Sequence, residues 1–485
     1  MSERLRNSDL AVLAAETPRT PAHNATLEIF DPAESGFDYE ALIAHIEDRI
    51  TFVPRYRQAV RSVPGRLANP VWVDDPDFDL TYHVRRSALP SPGTLDQLRD
   101  LTARILSRPL DPTRPLWEVY FVEGLDGGRI AILSKSHQVL VDGISTVDLG
   151  QVLFDVDPGP RHIVHDDWRP AGEPSQAALA LDALGERAGD PLSTLGEIAK
   201  GAVRGAGSAL GRLGAAAAVL SSRGPADGGP FNTDPSEQRR VVLVRTALKD
   251  YRKVRRVHGG TVNDVILATL TGAIRAWLMT RAESVDNRKI KALVPMSVID
   301  EDLEPTSLGS QVIGHRVSLP IGEASPVIRL HQVSYALKAH SETGRAVAAD
   351  RIAGVAGFAP TTFHALGSRV AVEEAQGVHL VITNVPGPQF PMYLAGAEMT
   401  ETYPIPPLQK GFALAIGVTS YDGGVYYGIT ADRDALPDVD VLGQCLREAL
   451  DELVDSASDS RPRAPRGRKK PASKSAPSKS AQEKP

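Results

Sequence analysis

Two adjacent strands and the polar segment that follows them constrain this chain more than any other feature. Pro115–Gly124 reads Pro-Leu-Trp-Glu-Val-Tyr-Phe-Val-Glu-Gly, rich in the aromatic and β-branched residues that favour strands. Leu125-Asp126-Gly127-Gly128 is a turn signal, and Arg129–His137 reads as a second strand, so the pair is predicted to be a β-hairpin. The second strand runs into Gln138-Val139-Leu140-Val141-Asp142-Gly143, where Asp142-Gly143 breaks it. A helix is predicted to begin near Ser145, with Asp148 at capping-box spacing.

The chemistry of that segment follows from its residue types. A histidine suits removal of a hydroxyl proton, because its pKa lies near 7. Gly143 lets the chain turn sharply, and Asp142 suits a structural ion pair with an arginine that fixes the turn. The residue four before Asp142 is Gln138, which donates and accepts hydrogen bonds but is no base at neutral pH. His137 is its neighbour; in an extended segment the two side chains point to opposite faces. Taken alone, His-x-x-x-x-Asp-Gly also reads as a strand end with a turn.

With 485 residues the chain is too long for one ordinary hydrophobic core, and two domains are expected. The four segments predicted are residues 1–175, a linker at 176–235, a second unit at 236–455 and a disordered tail at 456–485. The net charge of −6 hides an asymmetry: from Arg461 onward there are nine Lys/Arg and one Glu, which leaves residues 1–460 at −14. An acidic body of this kind argues against a nucleic-acid partner. The single cysteine, Cys445, excludes an intrachain disulfide and a cysteine-cluster metal site, and fits a reducing cytosol. The first ten residues lack an apolar signal core, and no run approaches the ~20 apolar residues of a membrane span. The expectation is a soluble, cytoplasmic protein, attached to a membrane surface at most.

In the first unit, Tyr39–Ile50 reads as a helix capped by Asp38, and Thr94–Ser107 as another. In the linker, Leu195, Ile198, Ala202, Ala206, Ala209, Leu213, Ala217 and Leu220 form a stripe at helical spacing, with Lys200, Arg204, Ser208 and Arg212 on another face. Two readings fit it, an amphipathic helix on an anionic membrane or a surface linker helix weakened by its glycines. In the second unit, Gln238–Ala247, Ile290–Val298 and His379–Thr383 read as strands, and Thr261–Arg281 as the clearest helix. Phe412–Val418 and Val425–Thr430 read as a hairpin, and Asp438–Val454 as a closing helix. There is no phosphate-binding loop, serine-hydrolase elbow or H-E-x-x-H signature. His162, His165, Asp166 and Asp167 read as a solvated loop before Trp168 rather than a metal site.

Five segments in order carry a resemblance: Pro115-Leu116-Trp117-Glu118, the His137–Gly143 stretch, Asn263-Asp264 at the start of a long helix, Val294-Pro295-Met296-Ser297, and Asn384-Val385-Pro386-Gly387-Pro388. Together they resemble the bacterial wax ester synthase/diacylglycerol acyltransferase family over roughly residues 5–455; Ser8-Asp9 and Pro21-Ala22-His23 fit its N-terminal pattern loosely. The resemblance implies an α/β fold of two chloramphenicol-acetyltransferase-like domains with mixed sheets and an active-site tunnel between them. It implies acyl-CoA as donor and diacylglycerol or a long-chain alcohol as acceptor, with acyl-CoA a substrate and no cofactor or metal. It places the base at Gln138, with His137, Asp142 and Gly143 completing the catalytic motif. Asn263, Asp264, Trp117 and Asn384 are the candidate substrate contacts, although Asn263 and Asp264 also fit simple helix capping and Trp117 a core position. A family member of this kind is expected on the inner membrane face or on lipid droplets.

Three outcomes follow from Gln138. Another histidine enters the site, with His315 and His364 candidates by exclusion; the enzyme works slowly by positioning and oxyanion stabilisation; or the protein binds acyl-CoA or lipid without turnover. A transferase with another acceptor, like the related condensation domains, is a further class.

Overall fold

One strand arrangement is built twice along this chain. The computed structural model describes residues 3–32, 35–140, 149–159, 168–172, 174–189, 229–286, 288–297, 312–341 and 377–458. The first half runs α1 (Asn7–Ala15), β1 (His23–Asp31), α2 (Tyr39–Arg49), β2 (Gln58–Arg61), β3 (Val71–Asp74), α3 (Leu80–His83), β4 (Val84–Ala88), α4 (Leu95–Leu106), β5 (Trp117–Glu123) and β6 (Ile130–His137), then short α5 (Leu149–Leu153) and α6 (Gln176–Gly189). The second runs β7 (Arg239–Ala247), α7 (Leu248–His258), α8 (Val262–Thr280), β8 (Ile290–Ser297), β9 (Val312–Leu319), α9 (Pro326–Ser341), β10 (Leu380–Pro386), β11 (Tyr393–Leu394), β12 (Ala397–Ile405), β13 (Leu414–Tyr421), β14 (Gly424–Asp432) and α10 (Val439–Ser458).

The sheets are six-stranded, in the orders β11-β12-β1-β6-β5-β4 and β7-β14-β13-β10-β8-β9, and β2 pairs with β3 apart from both. Within each sheet, a long strand pairs antiparallel with the second arm of a hairpin, and the hairpin's first arm pairs parallel with a fourth strand. That set is β1, β6, β5 and β4 in the first sheet, and β7, β14, β13 and β10 in the second. Mixed parallel and antiparallel pairing in both sheets is the α/β class expected from the sequence.

Local chemistry explains the elements that place the site. Asp38 caps α2 by accepting from the Ala41 N–H at 2.8 Å. Thr94 and Gln97 form a reciprocal capping box on α4, and Thr261 and Asp264 do the same on α8. Helix α8 has the length and apolarity of a membrane span, but its Val265–Ile274 run is buried against β-sheet and helix neighbours, so it is the core helix of the second half.

The strands at 393–405 lie within the stretch read as the second unit, yet β11 and β12 complete the first sheet, with β12 antiparallel to β1. Pro404 at the end of β12 meets the second sheet at two glycines. A Cβ on Gly428 would lie 1.9 Å from the Pro404 carbonyl oxygen and one on Gly417 at 2.7 Å, so glycine is required for this approach. Charges tie the halves elsewhere: Asp440 of α10 takes Arg99 of α4 at 2.5 Å and Arg240 of β7 at 3.0 Å.

Candidate functional site

β6 ends on two buried polar residues, His137 and the Gln138 that follows it. His137 faces His23 across β1 in register, and the Gln138 N–H continues the pairing by donating to the Ala22 carbonyl at 2.9 Å. A turn follows at once, closed by Leu140 N–H donating to the His137 carbonyl at 3.0 Å. His137 and Gln138 are each about 1 % exposed. Asp142, Gly143 and the helix expected near Ser145 lie outside the described residues, as do His162, His165, Asp166, Asp167, His364, the apolar stripe of the linker and the basic tail.

Both nitrogens of His137 are committed. Nδ1 accepts from the Val139 N–H at 3.2 Å, so Nε2 carries the proton and donates to Glu16 Oε2 at 3.1 Å. An imidazole held this way braces the strand end and leaves no lone pair for a substrate hydroxyl. Glu16 was not singled out in the sequence; the carboxylate comes from the loop after α1, 121 residues away. Its own anchor is the Ala22 N–H at 3.0 Å. Burial pushes the Glu16 carboxyl up, but the hydrogen bond from His137, the Ala22 N–H and the Lys135 ammonium outweigh it and hold the carboxyl below its usual 4.5.

A folded-state pKa below the unfolded one means that ionised Glu16 stabilises the fold above the unfolded carboxylate pKa, and that this is lost as pH falls through the folded value. Glu16→Gln is therefore expected to lower stability in urea at pH 7, with the deficit shrinking as pH drops below about 4.5. A deficit independent of pH would show that the carboxylate charge has no part.

The same strand face carries Lys135, about 1 % exposed. Its Nζ donates to the Arg108 carbonyl at 2.6 Å and lies 3.5 Å from Glu118, so it ties β6 to the chain leaving α4. His23 donates from Nε2 to the Leu106 carbonyl at 3.2 Å, at the end of α4. Burial first, then the Lys135 ammonium, hold its imidazole well below the ordinary 6.5.

From the second half, two residues singled out in the sequence meet. Asn384 Nδ2 on β10 donates to Asn263 Oδ1, in the first turn of α8, at 2.6 Å. Asp264, its neighbour, is not turned to the same partner. Its Oδ2 accepts from the Thr261 N–H at 2.8 Å and from Ser334 Oγ of α9 at 2.9 Å, and the side chain is buried. Among its described contacts Asp264 caps α8 and ties it to α9, which is the capping alternative. His315 stands opposite Val294 on β9, the edge strand of the second sheet.

Trp117, a candidate substrate contact in the sequence, packs in the core of the first half. The side chain is about 1 % exposed, its Nε1–H donates to the Tyr56 carbonyl at 2.7 Å, and its ring stacks on His83 with centroids 4.7 Å apart. Its ring also packs against Tyr56 with centroids 5.6 Å apart, so the indole is enclosed by core residues with its polar atom satisfied. Among the described residues, no group of three or more His, Cys, Asp or Glu is arranged to hold a metal.

The catalytic-domain model of the wax ester synthase/diacylglycerol acyltransferase family matches residues 5–266, and the model of that family's C-terminal domain matches residues 308–454. This chain belongs to the wax ester synthase/diacylglycerol acyltransferase family. The probable diacylglycerol O-acyltransferase tgs1 of Mycobacterium tuberculosis is 32 % identical over 86 % of this chain and 88 % of its own length. The probable diacylglycerol O-acyltransferase tgs3 of the same organism is 43 % identical over 53 % of this chain and 96 % of its own. Among solved structures, the wax ester synthase/diacylglycerol acyltransferase of Marinobacter aquaeolei VT8 matches with a TM-score of 0.65 at 26 % identity, over 94 % of this chain and 100 % of that one. The first condensation domain of the calcium-dependent antibiotic synthetase, with a TM-score of 0.55 at 14 % identity over 95 % and 97 %, shares the fold. Two condensation-like halves are thus the architecture that the repeated strand pattern builds.

Proposed function

We propose that this family member transfers a long-chain acyl group from acyl-CoA to the hydroxyl of diacylglycerol or of a long-chain alcohol. The observation that supports it most is that both family domains match in order along one chain, on a fold that spans the full length of a wax ester synthase/diacylglycerol acyltransferase. In the reaction the acceptor oxygen bonds to the thioester carbonyl carbon and the C–S bond breaks. The hydroxyl proton ends on the departing CoA thiol. Acyl-CoA is consumed as substrate, and no resident cofactor is needed.

Gln138 holds the base position on this reading. Its carboxamide hydrogen-bonds a hydroxyl without taking the proton. His137, with both nitrogens engaged, does not take over the task. Turnover then relies on positioning and oxyanion stabilisation, below that of a histidine-bearing site by the ~10²–10⁴-fold that general base catalysis contributes. The Asn263–Asn384 pair supports the site from the second half. The apolar acceptor sets the place of work, on the inner membrane face or a lipid-droplet surface.

The test uses the purified chain with radiolabelled palmitoyl-CoA and either dioleoylglycerol or hexadecanol. Labelled triacylglycerol or wax ester that appears only with the matching acceptor is expected. Palmitoyl-CoA binding with no ester from either acceptor would replace the proposal with a binding protein.

A further inference from the structure

The second half carries a helix whose outer face has no counterpart in the site chemistry. In α7, Leu-Lys-Asp-Tyr-Arg-Lys-Val-Arg-Arg-Val-His, the apolar Leu248, Tyr251 and Val254 recur at helical spacing and are buried. The opposite face presents Lys249, Arg252, Arg255 and Arg256 to solvent, against one carboxylate on the same helix, Asp250. None of these four cations makes an ion pair or hydrogen bond with a described residue, and the exposed Asp451 and Asp455 of the neighbouring α10 make none with them. Arg86, by contrast, pairs with Glu123 at 2.7 Å.

Large apolar side chains are exposed beside these cations. His331 of α9 contacts the His258 carbonyl at the end of α7 at 3.2 Å. Ile328 and Tyr335 lie about one turn to either side of His331 on α9, and Val257 precedes His258 on α7. Val257 is 43 % exposed, Ile328 49 % and Tyr335 77 %. Lys253 of α7 also donates to Ser458 Oγ at 2.6 Å, so the chain leaves α10 beside this face and continues into the segment with nine Lys/Arg and one Glu. Cations flanking exposed aliphatic and aromatic groups match a membrane interface, where the charges meet anionic headgroups and the apolar groups enter the acyl boundary. The position fits delivery to the site: only Gly259, Gly260 and Thr261 separate α7 from the first turn of α8, which holds Asn263.

We infer that the face formed by α7 and by Val257, Ile328 and Tyr335 docks this protein on an anionic lipid surface, with the end of the second half that carries Asn263 turned toward the membrane. The inference rests on the reading that the acceptor is a lipid.

The test is co-sedimentation of the full chain with phosphatidylcholine vesicles containing 30 mol % phosphatidylserine, beside vesicles without it. The variants are Arg252→Ala/Arg255→Ala/Arg256→Ala and, separately, Ile328→Ser/Tyr335→Ser. At ~1 kcal/mol per basic residue near an anionic surface, the triple variant is expected to lose about a hundredfold in partitioning onto anionic vesicles. The double variant is expected to lose binding that salt does not remove. Circular dichroism melts like those of the parent verify folding. Undiminished vesicle binding by the triple variant overturns the inference, and a rise in the KM for palmitoyl-CoA in detergent, without loss of vesicle binding, would assign the cations to the CoA phosphates instead. Because partitioning is read without turnover, failure of the acyl-transfer proposal shows separately, as absence of ester product.

Discussion

Gln138→His is expected to raise kcat by about a hundredfold or more, the range in which a positioned general base contributes. The position is prepared for it. Gln138 is pinned at the strand end by its N–H to the Ala22 carbonyl, and His137 beside it is braced by Glu16 and the Val139 N–H. A histidine introduced at 138 enters a fixed backbone and needs no rearrangement of its neighbour. The gain should be confined to kcat, with KM for both substrates little changed, because a base acts on the transferring proton rather than on binding. Its pH profile should climb through the histidine range, whereas the unmodified chain should lack that limb. A gain below threefold would show that position 138 does not address the acceptor hydroxyl.

Trp117→Ala is expected to be the most damaging single truncation in the first half. It removes a fully buried indole from Tyr56 and His83 and leaves the Tyr56 carbonyl without its 2.7 Å donor. A buried Trp→Ala change costs ~3–5 kcal/mol, which for a domain of this size lowers Tm by roughly 6–20 °C. Trp117→Phe should recover most of the ring packing but not the hydrogen bond. Below the melting transition, KM for acyl donor and acceptor should stay at the parent value, since the indole is enclosed by core residues. A change in KM with unaltered Tm would return Trp117 to the substrate site.

What the sequence makes legible divides along physical lines. Local signals are read well: Asp38 caps α2, the β5–β6 hairpin forms around its glycines, and Thr261 opens α8. Asn263 and Asn384 both stood out, but only the fold brings residues 121 apart to 2.6 Å. Strand β1 escaped notice because polar residues alternate along it, Asn24, Thr26 and Glu28 among them, although all but its last residue are buried in the middle of the sheet between β12 and β6. Helix α7 was missed because its charges obscure the apolar spacing of Leu248, Tyr251 and Val254. The move of β12 into the first sheet has no local signature, for a strand's partner is a long-range choice. Glu16 is of the same kind: nothing near it in sequence marks it as the partner of His137.

The most direct test of the central claim is a single-turnover measurement on the unmodified full chain, loaded with radiolabelled palmitoyl-CoA and mixed with diacylglycerol in anionic vesicles. The account predicts slow formation of labelled triacylglycerol with one CoA thiol released per ester formed, and a faster course for Gln138→His under the same conditions. CoA release that ignores the acceptor, or no ester from either protein, would contradict it.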